Sequence, residues 1–194
     1  LNIMKKLRLV FADDHPLVLA GIRDFFANDI RFDVTGCVTT PSELIEHIAR
    51  EHPDVAITDL SMPGDPRHND GLGLVSYIAS HFPQTHILVI TMMSNPLVIA
   101  SLYKAGASGV VLKSDPPDTL KTALEAIRMG RRFFHPSLMA QQSMPHQPPD
   151  FQLASALSRK EIEVLRRFIG GQSIKDIAGT LNRSIKTISN QKRS

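Results

Sequence analysis

Acidic, hydroxyl and basic side chains occur where the apolar runs of this 194-residue chain end. Asp13 and Asp14 follow the first run, Asp59 the third and Lys113 the fifth, while Thr91 closes the fourth. In open parallel sheets, ligands bind at the carboxyl ends of the strands near a topological switch point. Three crowded carboxylates repel one another, and a hard divalent cation with oxygen ligands, such as Mg²⁺, supplies their counter-charge.

Together these residue types predict a phosphoryl-acceptor site with Asp59 as the nucleophile. An aspartate carboxylate can form an acyl phosphate, and a bound metal ion neutralises charge in the transition state. Lys113 can pair with one phosphoryl oxygen, and the Thr91 hydroxyl can donate to another. One acidic residue at a strand end is more often a cap or turn former, so the prediction depends on the joint pattern. A solvated loop or capping role is expected for the nearby His15 and His68.

The elements that must position these residues are predicted from the alternation of short β-type runs with segments of helical periodicity. This alternation is typical of βαβ units, and it predicts an α/β domain with a flavodoxin-like (βα)5 fold and a parallel sheet of order 2-1-3-4-5. In that order the first, third, fourth and fifth strands are neighbours, so their ends meet at one rim. The predicted strands are Leu7–Ala12, Asp33–Val38, Val55–Thr58, Ile87–Thr91 and Gly109–Leu112.

Two helix starts have recognisable signals. Thr40 followed three residues later by Glu43 predicts a capping box at the second helix. Asp115 is the predicted N-cap of the last helix, with Pro116 at its first helical position.

The net charge of +3 conceals an uneven distribution along the chain. From Phe151 onward there are 9 Lys+Arg against 3 Asp+Glu, and the part before it has 13 against 16. A basic tail on an acidic body is a typical footprint of a nucleic-acid-binding module. A segment with three prolines and several glutamines precedes the tail, which predicts a domain at 4–130, a linker at 131–153 and a small all-α domain at 154–194.

Composition also favours a cytoplasmic protein with no membrane partner. The single cysteine, Cys37, is expected to be an ordinary buried thiol of a protein in a reducing compartment. The chain has no apolar stretch of about 20 residues, the length that a spanning helix needs.

Three stretches carry a family resemblance: Leu9–Pro16 (LVFADDHP), Thr58–Gly64 (TDLSMPG) and Gly109–Lys113 (GVVLK). They resemble the receiver domain of two-component response regulators. The resemblance implies that a sensor histidine kinase, a phosphotransfer protein or a small phosphodonor phosphorylates Asp59, and that Thr91 and Lys113 are the switch hydroxyl and the phosphate-contacting lysine. The residues that match the family's Mg²⁺ ligands are Asp13, Asp14, Asp59 and the backbone carbonyl of Ser61.

Two features depart from the family pattern. Residues 64–69 lengthen the loop between Met62-Pro63 and Asp70-Gly71. Val110 stands where many receivers carry an aromatic side chain that packs inward when the switch hydroxyl moves, so altered coupling to the output is expected.

The basic tail resembles the LuxR/NarL-type helix-turn-helix over Leu157–Leu165, Gly171–Ala178 and Ser184–Ser189. Helix starts are predicted at Ser158, Ser173 and Ser184. The family's domain continues into a fourth helix, so the domain is expected to be incomplete in a sequence that ends at Ser194. The predicted DNA-contacting residues are Lys186, Thr187, Ser189, Asn190, Gln191, Lys192 and Arg193.

The leading functional hypothesis is a non-enzymatic transcriptional regulator in which phosphorylation of Asp59 promotes homodimerisation and binding to double-stranded DNA. An alternative is a receiver that acts through protein contacts, for instance in heterodimers with another regulator, and binds little DNA itself. A third hypothesis, a Mg²⁺-dependent phosphatase, is weaker because such enzymes need an acid two residues past the nucleophile, where this chain has Ser61.

Overall fold

The computed structural model describes residues 5–136 together with residues 167, 172, 176, 177 and 179. Strands and helices alternate through residues 7–128, and the strands form one parallel sheet of order β2-β1-β3-β4-β5. The strands are β1 (Leu7–Ala12), β2 (Phe32–Val38), β3 (Val55–Asp59), β4 (His86–Thr91) and β5 (Gly109–Leu112). The helices are α1 (Pro16–Phe26), α2 (Pro41–Glu51), α3 (Gly71–His81), α4 (Pro96–Lys104) and α5 (Asp118–Arg128). The predicted flavodoxin-like fold and strand order are confirmed.

The central strands bury both faces, because helices cover the sheet on both sides. On β1, Val10 and Ala12 belong to a core cluster with residues of α2, α3 and α4. Leu9 and Phe11 alternate with them and belong to a second cluster with residues of α1 and α5. Ile177, in the C-terminal part of the chain, is fully buried and belongs to the first cluster.

The strand boundaries differ from the prediction by one residue at three places. β3 continues through Asp59, which pairs with Ile90, and the Leu60 N–H donates to the Ile90 carbonyl at 3.1 Å. The phosphoacceptor candidate is therefore held by the sheet ladder itself. β2 begins at Phe32 and β4 at His86, because both residues pair with a neighbouring strand.

The second helix begins as predicted, and the fifth does not. Thr40 is the N-cap of α2, and its hydroxyl oxygen accepts from the Glu43 N–H at 3.2 Å. Asp115 is not the N-cap of α5, which begins three residues later at Asp118. A residue that precedes a proline is disfavoured in the α region, so the consecutive prolines after Asp115 delay the helix.

Two smaller sequence predictions concern the cysteine and membrane spans. Cys37 is half-buried on the edge strand β2 rather than buried, with its Sγ 3.2 Å from the Arg23 Nε. Within the described part of the chain, no helix has the length and hydropathy that crossing a membrane requires. The limits of the predicted linker and second domain stay predictions.

Candidate functional site

The carboxyl ends of β1, β3, β4 and β5 meet at one rim, and the predicted side chains lie there. The Lys113 ammonium donates to the Asp13 Oδ2 at 2.8 Å and to the Asp59 Oδ2 at 2.8 Å. One cation thus bridges two carboxylates from different strands, although 100 residues separate Lys113 from Asp13 along the chain. The sheet order explains this convergence, since β3 lies between β1 and β4.

Asp59 is a buried carboxylate at the end of a central strand. It is 8% exposed, and burial raises the pKa of its carboxyl, against the hydrogen bond and charge of Lys113. Its Oδ1 accepts from the Ser61 N–H at 3.3 Å, and its Oδ2 accepts from Lys113. Lys113 has a raised pKa, because its bonds to Asp13 and Asp59 outweigh the effect of burial.

The acidic pair after β1 is associated with His15. The Asp13 Oδ1 accepts from the His15 backbone N–H at 2.9 Å, and the His15 Nδ1 lies 3.1 Å from the same oxygen. The Nδ1 is also 2.7 Å from the Asp14 Oδ1. The hydrogen bond with Asp13, followed by the charge of Asp14, raises the pKa of the exposed imidazole. His15 occupies the N-cap position of α1, as expected, and its ring also pairs with the acidic residues.

These carboxylates fit a hard divalent cation. The Asp14 Oδ1 is buried and has no hydrogen-bond donor in good geometry among the described residues. Apart from its contact with the exposed His15 ring, this oxygen can be satisfied by a hard cation, and Mg²⁺ prefers carboxylate oxygens. Ligand atoms of Asp13, Asp14 and His15 lie within 4.8 Å of one another. Asp59 stands outside that group and is joined to Asp13 through the Lys113 ammonium.

Thr91 lies at the predicted rim but is turned into its own loop. It is 2% exposed, and its Oγ1 accepts from the Met93 N–H at 2.9 Å. The Thr91 carbonyl accepts from the Lys113 N–H at 2.8 Å, which ties the end of β4 to the residue after β5. The two switch candidates are therefore neighbours through the backbone.

The lengthened loop after β3 is held by two aspartates that the sequence analysis did not single out. The Asp65 carboxylate accepts from the Ser42 N–H at 2.6 Å and from the Ser42 hydroxyl at 2.8 Å, at the start of α2. Its Oδ1 also accepts from the Arg67 N–H at 2.8 Å, a local spacing typical of an Asx-turn. Burial raises the pKa of Asp65, but the hydrogen bonds outweigh it and lower the pKa to about 2.

Asp70 fixes the other end of the loop. It is 6% exposed, and its Oδ2 accepts from the Met62 N–H at 2.9 Å. Burial raises its pKa to about 6, although the bond from Met62 acts in the opposite direction. Between the two anchors, the His68 ring lies 5.3 Å from the Tyr77 ring of α3. His68 therefore lies in the loop, as expected, but its side chain is half-buried against an aromatic ring.

The residues predicted to contact DNA lie outside the described residues. The same is true of Ser158, Ser173 and Ser184, the predicted helix starts of the tail. Of the tail, Arg167, Asp176, Ile177 and Gly179 are helical.

Comparison with known families identifies both parts of the chain. Residues 9–125 match the response regulator receiver domain, and residues 155–194 match the bacterial regulatory proteins of the luxR family. The chain belongs to the response regulator family. Its predicted resemblance to the NarL/LuxR type of response regulator is confirmed.

Similar curated proteins cover most of this response regulator. The transcriptional regulatory protein RcsB of Escherichia coli strain K12 is 39% identical over 191 residues, which are 98% of this chain and 87% of that protein. RcsB of Salmonella typhi has the same identity and coverage. The oxygen regulatory protein NreC of Staphylococcus epidermidis is 30% identical over 190 residues, covering 94% of this chain and 86% of the relative.

Solved structures of RcsB have the same fold. An RcsB–DNA complex superposes with a TM-score of 0.67 at 38% identity, covering 97% of this chain and 89% of that chain. The isolated receiver domain of RcsB from Salmonella enterica serovar Typhimurium, solved with the phosphomimetic BeF3⁻, gives a TM-score of 0.65 at 37% identity. It covers 70% of this response regulator and is itself covered over 98% of its length.

Proposed function

We propose that this response regulator controls transcription through phosphorylation of Asp59 and that a sensor histidine kinase or phosphotransfer protein is the phosphodonor. The observation that carries the proposal is the Lys113 bridge. A buried aspartate at the end of a central strand has a lysine ammonium on one oxygen, 2.8 Å away, and an acidic pair beyond it. This arrangement leaves the Asp59 Oδ1 with one long bond from Ser61, at 3.3 Å. That oxygen is the better candidate for attack.

The residues present would hold Mg²⁺ through Asp13, Asp14, Asp59 and the Ser61 carbonyl. The ion would supply charge neutralisation for the transferring phosphoryl group. The chain's own residues supply the rest. The Asp59 carboxylate forms the new O–P bond, while the bond from phosphorus to the donor's leaving group breaks and the leaving group departs with the electron pair. The Lys113 ammonium is already within hydrogen-bond distance of Asp59, and it remains there as the partner of a phosphoryl oxygen.

Thr91 and Lys113 would then convert the chemistry into a structural change. The Thr91 Oγ1 accepts from the Met93 N–H, so its own O–H can still donate, and a phosphoryl oxygen offers that donor a charged acceptor. Movement of Thr91 pulls the loop that precedes α4. Movement of Lys113 shifts the turn after β5, because the Lys113 N–H is bonded to the Thr91 carbonyl.

The basic tail supplies the output. Its 9 Lys+Arg and 3 Asp+Glu suit a phosphate backbone, and Lys186, Lys192 and Arg193 are the proposed contacts to it. RcsB relatives have been solved as two dimers bound to two parallel DNAs, which supports a homodimer on double-stranded DNA here. Heterodimers with another regulator are the alternative assembly that we propose. Such a regulator works in the cytoplasm, where its DNA is.

We assign no catalytic turnover to the chain. An aspartyl phosphatase needs an acid two residues past the nucleophile to protonate the leaving group, and the residue there is Ser61. The phosphate on Asp59 is therefore a signal rather than an intermediate.

The test is a DNA titration with and without phosphorylation. The probe is a duplex of the rprA promoter, to which RcsB of Salmonella enterica serovar Typhimurium is bound in a solved structure. Acetyl phosphate and Mg²⁺ should tighten binding by the wild type and not by Asp59→Asn. Asp33→Asn, an exposed residue near the start of β2, is the matched control and should behave as wild type. Equal affinity before and after phosphorylation would overturn the proposal and favour a receiver that acts through protein contacts.

A further inference from the structure

An aromatic side chain packs in the same core cluster as Val110, but it comes from α4 rather than from β5. Tyr103 is 9% exposed, and burial raises the pKa of its phenol. Its hydroxyl donates to the Phe133 carbonyl at 2.6 Å and accepts from the His135 N–H at 3.3 Å. The tyrosine thus holds two backbone groups of the segment that follows α5.

This segment is packed against the sheet. Phe133 forms an isolated parallel bridge with Gly109, and its N–H donates to the Ser108 carbonyl at 2.9 Å. A Cβ on Gly109 would lie 2.8 Å from the Leu88 Cδ1 and 3.3 Å from the Phe133 Cβ. Glycine at this position therefore eases the close approach of Phe133, since an added Cβ would require the Leu88 side chain and Phe133 to shift. The first residues of the predicted linker are an ordered extension of the receiver.

The same segment is tied to the turn that carries Lys113. The His135 Nε2 lies 3.2 Å from the Asp115 Oδ2. That oxygen also accepts from the Leu112 N–H at 2.8 Å, and the Asp115 N–H donates back to the Leu112 carbonyl at 3.0 Å. Lys113 lies inside this closed turn, and its ammonium bonds Asp59. Asp115, whose carboxylate contacts His135, is therefore in the same turn as Lys113, the proposed phosphate-contacting residue.

We propose that Tyr103 is the coupling residue of this receiver and that residues 133–135, clasped by Tyr103 and Asp115, carry the state of Asp59 into the C-terminal domain. The inference rests on the proposed function and identifies the residues through which phosphorylation would affect the C-terminal domain. Tyr103 lies on α4, which follows the loop after Thr91. Asp115 lies in the turn that contains Lys113. When both switch residues turn to the phosphoryl group, both anchors of the segment move together. The segment leads along the chain toward the DNA-binding domain.

This arrangement accounts for Val110. A receiver with an aromatic on β5 couples that ring to the switch hydroxyl, whereas here the short side chain of the fully buried Val110 cannot swing in the same way. Tyr103 is the aromatic of this cluster that reaches the linker, with its ring 5.1 Å from the Phe134 ring. Its hydroxyl gives the coupling a direct contact with the linker.

The test measures amide hydrogen exchange of Phe133 and His135 in the full chain, with and without acetyl phosphate and Mg²⁺. Acyl phosphate yield is measured on the same samples. In the wild type, phosphorylation should change the exchange of these amides about fivefold or more, the effect of one hydrogen bond. Tyr103→Phe should keep the phosphate yield, raise the exchange of the His135 amide about fivefold without phosphodonor, and abolish the phosphorylation-dependent change.

Tyr77→Phe is the matched control, because it removes a hydroxyl from the neighbouring helix α3, away from the clasp. It should keep the full response. His135→Ala is a second variant that removes the Asp115 contact and should also reduce the response. A full response in Tyr103→Phe, or none in phosphorylated wild type, would overturn the inference. Absence of phosphate on Asp59 in the wild type would overturn the proposed function itself, and the inference with it.

Discussion

Lys113 decides the electrostatics of the rim at the scale of single residues. Its ammonium lies 2.8 Å from carboxylate oxygens of both Asp13 and Asp59, in a site where each carboxylate is almost buried. Burial disfavours the charged form of Asp59, and Lys113 opposes that effect. In the proposed mechanism the same ammonium also contacts the phosphoryl group after transfer. A single side chain would then stabilise the resting site and recognise the product.

Lys113→Met should destabilise the fold, because it leaves two carboxylates without their counter-charge. We expect a loss of about 1–3 kcal/mol at neutral pH, below the value for a fully buried pair because the lysine is partly exposed. The loss should shrink in acid, where the carboxylates are protonated. Added Mg²⁺ should restore part of the stability through the acidic pair.

Denaturant unfolding with and without Mg²⁺ measures both effects. Lys104→Met, at the exposed end of α4, is the control and should change the unfolding free energy by less than about 0.5 kcal/mol. If the loss of stability in Lys113→Met did not change with pH or Mg²⁺, Lys113 would not be the counter-charge of these carboxylates.

Asp70→Asn should change the pH dependence of stability. The pKa of Asp70 in the folded state, about 6, lies above the ordinary value of 3.8, so the folded state binds the proton more tightly than the unfolded chain. The contribution of Asp70 is thus most favourable in acid and is lost as pH rises through 6. The Asn variant should gain about 2–3 kcal/mol relative to wild type between about pH 3 and pH 7.

Chemical unfolding across that pH range tests the Asp70 prediction. The Asn carbonyl can still accept from the Met62 N–H, so loss of that bond is not the cause of any difference. Asp118→Asn, on the exposed first turn of α5, is the control for removing a carboxylate. A stability difference that stays constant with pH would refute the prediction.

At the scale of elements, the loop after β3 is an integral part of the site. Asp65 bonds it to the N-terminus of α2, where unpaired N–H groups and the helix dipole favour a carboxylate. Asp70 closes the other end onto Met62, next to the Ser61 carbonyl. The lengthened loop is therefore anchored on both sides of its insertion.

Asp65→Ala should release the loop from α2. We expect a loss of about 1–2 kcal/mol at neutral pH, since the group is only partly buried. Because the pKa of Asp65 in the folded state is lowered from 3.8 to about 2, this contribution is fully present above pH 3.8 and is lost as pH falls through 2.

The unfolding free energy is measured together with exchange of the Ser42 amide, which should rise when its acceptor is removed. Asp24→Ala, on the exposed part of α1, is the control. Unchanged protection of the Ser42 amide in Asp65→Ala would show that the loop is held by other contacts.

Elements and rim residues differ in how far the sequence could predict them. The five strands follow from apolar periodicity, and the flavodoxin-like order expected for a (βα)5 unit brings Asp13, Asp59 and Lys113 together. The predicted start of α5 was wrong because the restriction that consecutive prolines impose on the backbone overrides the capping signal of Asp115. The roles of Asp65 and Tyr103 depend on partners that lie far away in sequence, so no local sequence pattern predicts these roles.

At the scale of the whole molecule, the receiver part and the luxR-like part of the chain differ in net charge. The acidic part before Phe151 holds Asp59, the proposed phosphorylation site, and the basic part after it matches the luxR family. Such a distribution gives the two parts different tasks: oxygen ligands for a metal ion and phosphate contacts for DNA.

Neutralising the tail should weaken DNA binding without affecting phosphorylation. Changing Lys186, Lys192 or Arg193 to Gln should reduce the slope of log affinity against log salt by about one for each DNA phosphate that the variant no longer neutralises. Titrations at several salt concentrations measure the slope. Lys5→Gln, a basic residue with 82% side-chain exposure near the start of the receiver, is the control. An unchanged slope in all three variants would remove these residues from the DNA interface.

The central claim is that Asp59 accepts the phosphoryl group. The most direct test incubates the chain with acetyl phosphate and Mg²⁺, traps the product and maps the modified peptide. We predict a hydroxylamine-sensitive acyl phosphate on the peptide that contains Asp59, absent from Asp59→Asn and retained in full by Asp33→Asn. The same phosphate yield from Asp59→Asn would contradict the account.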